Sequence, residues 1–375
     1  MSKGTFRLTA ALLALCTVFA GLAPLAARAE APPKKYKILM TIGFDGNTWM
    51  NAAQNLVRAI AKSKKYEGRV AELTIQSARA DAQVQAQQIN AAVEGGVDII
   101  VLWPFSPTAL NRAARNACAH NVTVVTFDGE VTEPCAYHIG IDQVYAGAAP
   151  AEWLADTLKG KGNIVFMDGV PGNLVNTQRA AAAKDVFSGY PDIKIVAETP
   201  SMWNEAIARQ KLQEIVAAKG WDAIDGVWTQ VGCYQFAQLE LEAGRNKLLP
   251  CAGNGTNGER VIQLAKGATE GALDAPGASM GSPPFAAPLA FTLGIKIRDG
   301  ENVPKATRIA MPLVTGKNTV LCQTGDRAEL IKVDYKCNAL PLSIASATYY
   351  MEIWTKELPE LDVNSALKGI PAEGQ

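Results

Sequence analysis

The sequence predicts an α/β protein in which one doubly wound, parallel-sheet layout is used twice. Three observations predict it. From Tyr36 onward, short runs rich in β-branched residues alternate with Ala-rich stretches of helical period. No Asn-Gly turn joins two of those runs as a hairpin, and beyond about residue 160 the alternation begins again. Neighbouring parallel strands need a long crossover, which a helix supplies, so strand–helix alternation implies parallel strands with helices on both faces.

The elements follow in order. Residues 37–42 (KILMTI) read as a buried strand, and 51–63 as the helix that returns the chain. A second strand spans 70–75; residues 81–94, with Ala and Gln interleaved, form a helix closed by Gly95-Gly96. A third strand covers 97–102, a helix 107–119 and a fourth strand 122–127. In the second half, 163–167, 193–198, 226–228 and 248–252 read as strands. Residues 177–188, 204–218, 233–243 and 258–266 read as their helices. Two similar open sheets in one chain face each other across a cleft, and ligands bind beyond the carboxyl ends of the strands.

Those strand ends carry the candidate site. Gly43-Phe44-Asp45-Gly46-Asn47-Thr48-Trp49-Met50 leaves the first strand; it lacks the third glycine of a dinucleotide fingerprint. Trp103-Pro104-Phe105-Ser106-Pro107 follows the third, and Asp128-Gly129-Glu130 the fourth. In the second half, Asp168-Gly169-Val170-Pro171-Gly172-Asn173 precedes a helix bearing Asn176 and Arg179. Met202-Trp203-Asn204, Gln230-Val231-Gly232-Cys233-Tyr234 and Gly253-Asn254-Gly255 close the other strands. The cleft is therefore expected to collect Trp49, Trp103, Phe105 and Trp203 with Asn47, Asp128, Arg179, Gln230 and Asn254. Aromatic faces cover the C–H faces of a sugar ring, while amides, a carboxylate and a guanidinium bond its hydroxyls. The plain alternatives are core packing for each aromatic, a turn cap for Asp128 and a surface ion pair for Arg179. Trp153, Trp221, Trp228 and Trp354 are assigned to core or surface.

The first residues read as an export signal. Lys3 and Arg7 precede an apolar run to about Ala26, and Ala27-Arg28-Ala29 places small residues where a signal peptidase accepts them, with the cut after Ala29. Pro24 and that cut site argue against a retained anchor, and Leu15 before Cys16 argues against a lipid anchor. The signal removes three basic residues and no acidic one, which leaves 33 basic against 36 acidic. A faintly acidic chain without a basic block is not expected to bind nucleic acid. Cys118, Cys135, Cys233, Cys251, Cys322 and Cys337 remain, an even set in an exported chain, and fall as three close couples. Six cysteines allow 15 pairings, of which local pairing is favoured by closeness in sequence. With no C-x-x-C and only His120 and His138, no metal site is expected. The same scarcity of histidine, and the lack of an H-E-x-x-H or P-loop signature, leave no catalytic residue to assign.

The chain resembles the ribose-binding-like (type I, cluster B) periplasmic binding proteins of ABC transporters. Gly46-Asn47-Thr48-Trp49, residues 81–101, Val124-Val125-Thr126-Phe127-Asp128, His138-Ile139-Gly140-Ile141-Asp142 and Asn176-Thr177-Gln178-Arg179 carry the resemblance, which runs to about residue 314. It implies two lobes joined by three hinge crossovers near Ile141, Ser282 and Leu313. After a signal peptide at 1–29, the N-terminal lobe would take 30–141 and 282–313. The C-terminal lobe and a long tail would take 142–281 and 314–375. It further implies that Asn47, Trp49, Trp103, Asp128, Arg179, Trp203 and Asn254 match ligand-contacting positions. Departures also show: Gly129 stands where many members carry arginine, Val231 where they carry asparagine, and Asn254 where an aspartate is expected. The Cys118/Cys135 couple is similar to one in autoinducer-2-binding members. Related DNA-binding repressors share the lobes, but here an export signal stands where their helix-turn-helix would be.

By this resemblance the protein is a periplasmic monomer without cofactor or metal that closes on a sugar or polyol and hands it to an ABC transporter permease in the inner membrane. The alternatives are a periplasmic sensor subunit presenting a sugar or autoinducer-type ligand to a chemoreceptor or kinase, and a sugar-active enzyme.

Overall fold

The computed structural model describes residues 33–375, with Met1 and Gly4. The export segment, Cys16 and the cut after Ala29 lie outside the described residues. Residues Lys34–Gln375 form one compact unit containing two six-stranded sheets.

The first half runs β1 (Tyr36–Ile42), α1 (Thr48–Lys62), β2 (Val70–Ser77), α2 (Ala82–Glu94), β3 (Ile99–Trp103), α3 (Asn111–Ala119), β4 (Thr123–Phe127) and β5 (Tyr137–Gly140). Helix α1 starts earlier than its apolar period because Asn47 caps it, its Oδ1 accepting from Met50 N at 2.9 Å. Strand β1 is buried except at Lys37, as a central parallel strand must be. Its side chains alternate: Ile38, Met40 and Ile42 pack toward α1, and Leu39 packs on the opposite face.

The second half repeats the layout: α4 (Gln143–Thr157), β6 (Lys161–Asp168), α5 (Leu174–Ser188), β7 (Asp192–Pro200), α6 (Glu205–Lys219), β8 (Gly226–Thr229), α7 (Cys233–Glu242), β9 (Cys251–Gly253), α8 (Asn257–Gln263) and β10 (Gly277–Ser279). The chain then returns through α9 (Ala286–Arg298) and β11 (Ala306–Arg308) to β12 (Val314–Thr315), and ends with α10 (Arg327–Lys332) and α11 (Val363–Lys368). Sheet order is β2-β1-β3-β4-β5-β11 in one and β7-β6-β8-β9-β10-β12 in the other. The chain thus changes sheet between β5 and β6, between β10 and β11, and between β11 and β12. One pairing departs from the expected parallel pattern: β12 joins β10 antiparallel.

Disulfides join Cys118 to Cys135, Cys233 to Cys251 and Cys322 to Cys337, with Cα atoms 6.4, 5.6 and 5.3 Å apart. Trp228 is buried in the second sheet, stacked on Phe166, and Trp354 is buried in the tail. The tail, grouped above with the second lobe, also packs on the first, because α11 lies along α1.

Glu240 on α7 is fully buried. Its Oε1 accepts from Leu249 N and pairs with Arg245, while Oε2 has no hydrogen-bond partner. Burial therefore raises its pKa to about 7. The unfolded group ionises near 4.3, so this acid's contribution is most favourable below that pH and is lost as pH rises through about 7. Glu240→Gln is expected to stabilise the fold by about 1–2 kcal/mol at pH 8.5 and by almost nothing at pH 4. Thermal melts at the two pH values measure it; an equal gain at both would show that the carboxyl does not titrate this way.

Candidate functional site

Loops leaving both sheets at their carboxyl ends meet around one cavity. From the first half, Asn47, Trp49 and Met50 enter it at the start of α1, Trp103 at the end of β3 and Asp128 just after β4. The second half supplies Val175 and Arg179 from α5, Trp203 from the loop before α6 and Asn254 from the loop after β9. Ser282, between β10 and α9, and Tyr350 of the tail complete the wall. The cavity measures about 30 Å³, room for one or two water molecules.

Asp128 and Arg179 sit at its polar end, joined through a third side chain. The Asp128 carboxylate accepts from Trp103 Nε1 at 2.8 Å through one oxygen and from Gln143 Nε2 at 2.7 Å through the other. Gln143 Oε1 in turn accepts from Arg179 Nε at 2.8 Å. Arg179 Nη1 donates to Asn254 Oδ1 at 2.9 Å and Nη2 to Ser282 Oγ at 2.6 Å. The Asp128 carboxylate thus bonds side chains of Trp103 and Gln143, and Arg179 is buried rather than at the surface. Burial lowers the guanidinium's pKa, and the Asp128 charge opposes that shift. A guanidinium carries five N–H groups, and three are used, so two remain in the cavity wall. Asn47 spends its oxygen on the α1 cap, which leaves its amide nitrogen as a donor.

The aromatic walls are held by specific contacts. Trp103 and Trp203 meet edge-to-face across the cleft, centroids 6.3 Å apart. Trp49 instead stacks on Phe127 at 6.3 Å and donates from Nε1 to Ser282 O at 2.7 Å. Trp203 occupies the left-handed region at φ 49°, directly after Met202 at φ 58°. Two such bulky residues in succession cost about 1–3 kcal/mol each and mark a loop held in place by its surroundings. Gly169 is required beside it, since a Cβ there would lie 2.1 Å from the Trp203 indole nitrogen.

Two expected residues do not line the cavity. Phe105 turns back against Gly43, its backbone N donating to Gln85 Oε1 at 3.0 Å. Gln230 is buried behind Trp203, accepting from its Nε1 at 2.9 Å and donating to Asn176 Oδ1 at 2.8 Å, so it positions the indole. Gln143 and Tyr350 were not anticipated: the first lies at the start of an unread helix, and the second comes from a distant tail.

Two sequence signatures lose their chemistry in the fold. Gly277-Ala278-Ser279-Met280-Gly281 spells the G-x-S-x-G of hydrolase elbows. Ser279 is buried within β10, between β9 and β12, and its hydroxyl has no partner, so it is not an exposed nucleophile. Gly253-Asn254-Gly255-Thr256-Asn257-Gly258 spells G-x-G-x-x-G at the start of α8, but Glu259 and the tail occupy the N–H groups a phosphate would need. Among the described residues no cluster of three or more His, Cys, Asp or Glu side chains is placed to hold a metal. None of their helices is long and apolar enough to cross a membrane.

A family model described as "Periplasmic binding protein domain" matches residues 38–291. A xylitol-binding protein of Mycolicibacterium smegmatis is 31% identical over 177 residues, 46% of this chain and 50% of that protein. The D-xylose-binding periplasmic protein of Escherichia coli is 29% identical over 140 residues, 36% of this chain and 42% of that protein. The chain thus spans about half the length of the curated relatives it matches. An ABC transporter solute binding protein from Thermobispora bispora superposes with a TM-score of 0.67 at 22% identity, covering 90% of this chain and 97% of that one. At that identity the likeness establishes the shared fold.

Proposed function

The chain belongs to the periplasmic binding protein domain family, and from that premise we propose that it binds a small sugar or polyol between its lobes and delivers it to an ABC importer. The observation that carries the proposal is the buried Asp128–Gln143–Arg179 chain, with two guanidinium N–H groups left over, in a cavity walled by Trp49, Trp103 and Trp203. Charged and amide groups would bond ligand hydroxyls while the indoles cover its apolar faces. A pentitol or pentose is the favoured class, because relatives of that description match the chain. Hinges near Ile141, Ser282 and Leu313 would let the lobes part and close. Ligand contacts drawn from both lobes would shift the population to the closed form, the state a membrane permease engages. The protein acts as a monomeric binder rather than an enzyme, exported by its first 29 residues and working in the periplasm.

A thermal-shift screen over pentoses, hexoses, polyols and autoinducer-type furanoses tests the proposal. A ligand at a hundred times its Kd is expected to stabilise the native chain by about 2.7 kcal/mol, a clear rise in Tm. No rise with any of them at millimolar concentration would sink it.

A further inference from the structure

The tail is bound to both lobes. Residues 340–352 dock where α8 begins, at N–H groups the helix cannot satisfy internally. Asn257 N donates to Tyr349 O at 2.6 Å, Gly258 N to Ala347 O at 2.9 Å, and Met351 N returns a bond to Gly255 O at 3.1 Å. The Asn257 side chain holds Leu340 O and Ala345 O at 3.0 and 2.7 Å. Residues 360–374 dock instead on the other lobe, along α1. Asn55 Nδ2 donates to Ala366 O and Leu367 O at 2.9 and 3.2 Å, and Lys65 pairs with Glu360 at 3.1 Å. Tyr349 spans the two docks, its carbonyl on α8 and its phenol donating to Ala366 O at 2.6 Å. Between the docks, Tyr350 turns into the cavity wall beside Arg179 and Asn254.

We propose that the tail is a strap that limits how far the lobes part, and that it presents Tyr350 as a selectivity-determining contact for the ligand. The lobes separate only if α1 and α8 move apart, and a covalent segment docked on both must release one of them. The α8 dock carries the buried Arg260–Glu352 pair, whereas the α1 dock rests on hydrogen bonds, the Lys65–Glu360 pair with its exposed lysine and the apolar side of α11, so the α1 dock is the one that releases, and the strap sets a balance between open and closed forms. Burial, with the Glu205 and Glu259 charges adding to it, keeps the Tyr350 phenol protonated, so it meets a ligand as an O–H donor. The strap does not depend on ligand identity; the role of Tyr350 rests on the function proposed above.

The test uses the full mature chain. Asn55→Ala with Tyr349→Phe removes the bonds to Ala366 and Leu367 yet leaves the cavity wall intact; Asn55→Ala alone is the milder variant. Ligand-free small-angle scattering is expected to show a larger radius of gyration for the double variant than for the native chain, and hydrogen exchange to show faster exchange in 360–374. No expansion, whether the tail exchanges fast or slowly, overturns the strap. Separately, Tyr350→Phe is titrated with xylitol, D-xylose and D-ribose. At least tenfold weaker binding with unchanged scattering is expected, and unchanged affinity overturns the role of Tyr350. A native chain that binds none of the three overturns the Tyr350 role together with the function it rests on, while the scattering result stands by itself.

Discussion

Arg179→Ala is expected to weaken binding of the stabilising sugar or polyol at least a hundredfold, about 2.7 kcal/mol or more. Arg179 is buried and donates to Gln143, Asn254 and Ser282, so it organises acceptors from three separate segments at once. Removing it takes away the two spare donors and leaves Gln143 Oε1 and Asn254 Oδ1 buried without their donor, each a loss of about 1–3 kcal/mol in a dry site, while Ser282 Oγ keeps Gln143 Nε2. Arg179→Lys should recover little, because a point ammonium cannot reproduce a planar fork aimed in three directions. Isothermal titration of native and variant chains measures the loss, with ligand-free melts beside it. An unchanged Kd with a large fall in Tm would make Arg179 a structural residue and remove it from the site.

Arg260→Ala is expected to cost about 3–5 kcal/mol of folding stability. Arg260 is fully buried on α8, and its Nη2 pairs with Glu352 of the tail. Burial raises the Glu352 pKa, while the Arg260 charge opposes that shift, so truncating the arginine strands an acid in the interior. The Nε and Nη1 groups of Arg260 have no partner, so this pair is imperfectly satisfied. Replacing both members, Arg260→Met with Glu352→Leu, should therefore restore most of the stability. Denaturant melts of the two single variants and the double variant measure the coupling. A double variant as unstable as Arg260→Ala would show that lost packing, not a stranded charge, sets the effect.

The strand–helix alternation was legible because each element carries its own period. Residues 37–42 form a strand and 81–94 a helix for reasons found within those few residues. The rule that ligand groups gather at strand ends likewise found Trp49, Trp103, Asp128, Arg179 and Asn254 around one cavity. That rule places a residue near the cleft but does not aim its side chain. Phe105 and Gln230 both occupy strand ends, yet one packs on Gly43 and the other supports Trp203. Helix α4 is not legible in the sequence because Pro150 stands in its interior, where a proline signals a helix end, and its small residues leave a weak apolar period.

The sequence by itself determined the α/β class, the repeated layout, the strand ends that could hold a ligand and the cysteines close enough to pair. Those properties depend on neighbours within about 20 residues, whose periods and spacings are written locally. Only the tertiary structure decided that Gln143 joins Asp128 to Arg179, that Tyr350 reaches the cavity, and that the tail grips α1 and α8 together. Apart from Gln143 with Asp128, which are 15 positions apart with no shared period, these contacts link residues from 36 to 311 positions apart, as in Arg179 with Gln143 and Asn55 with Ala366. Their geometry is set by how the two sheets, their helices and the tail pack, and no local pattern records that packing.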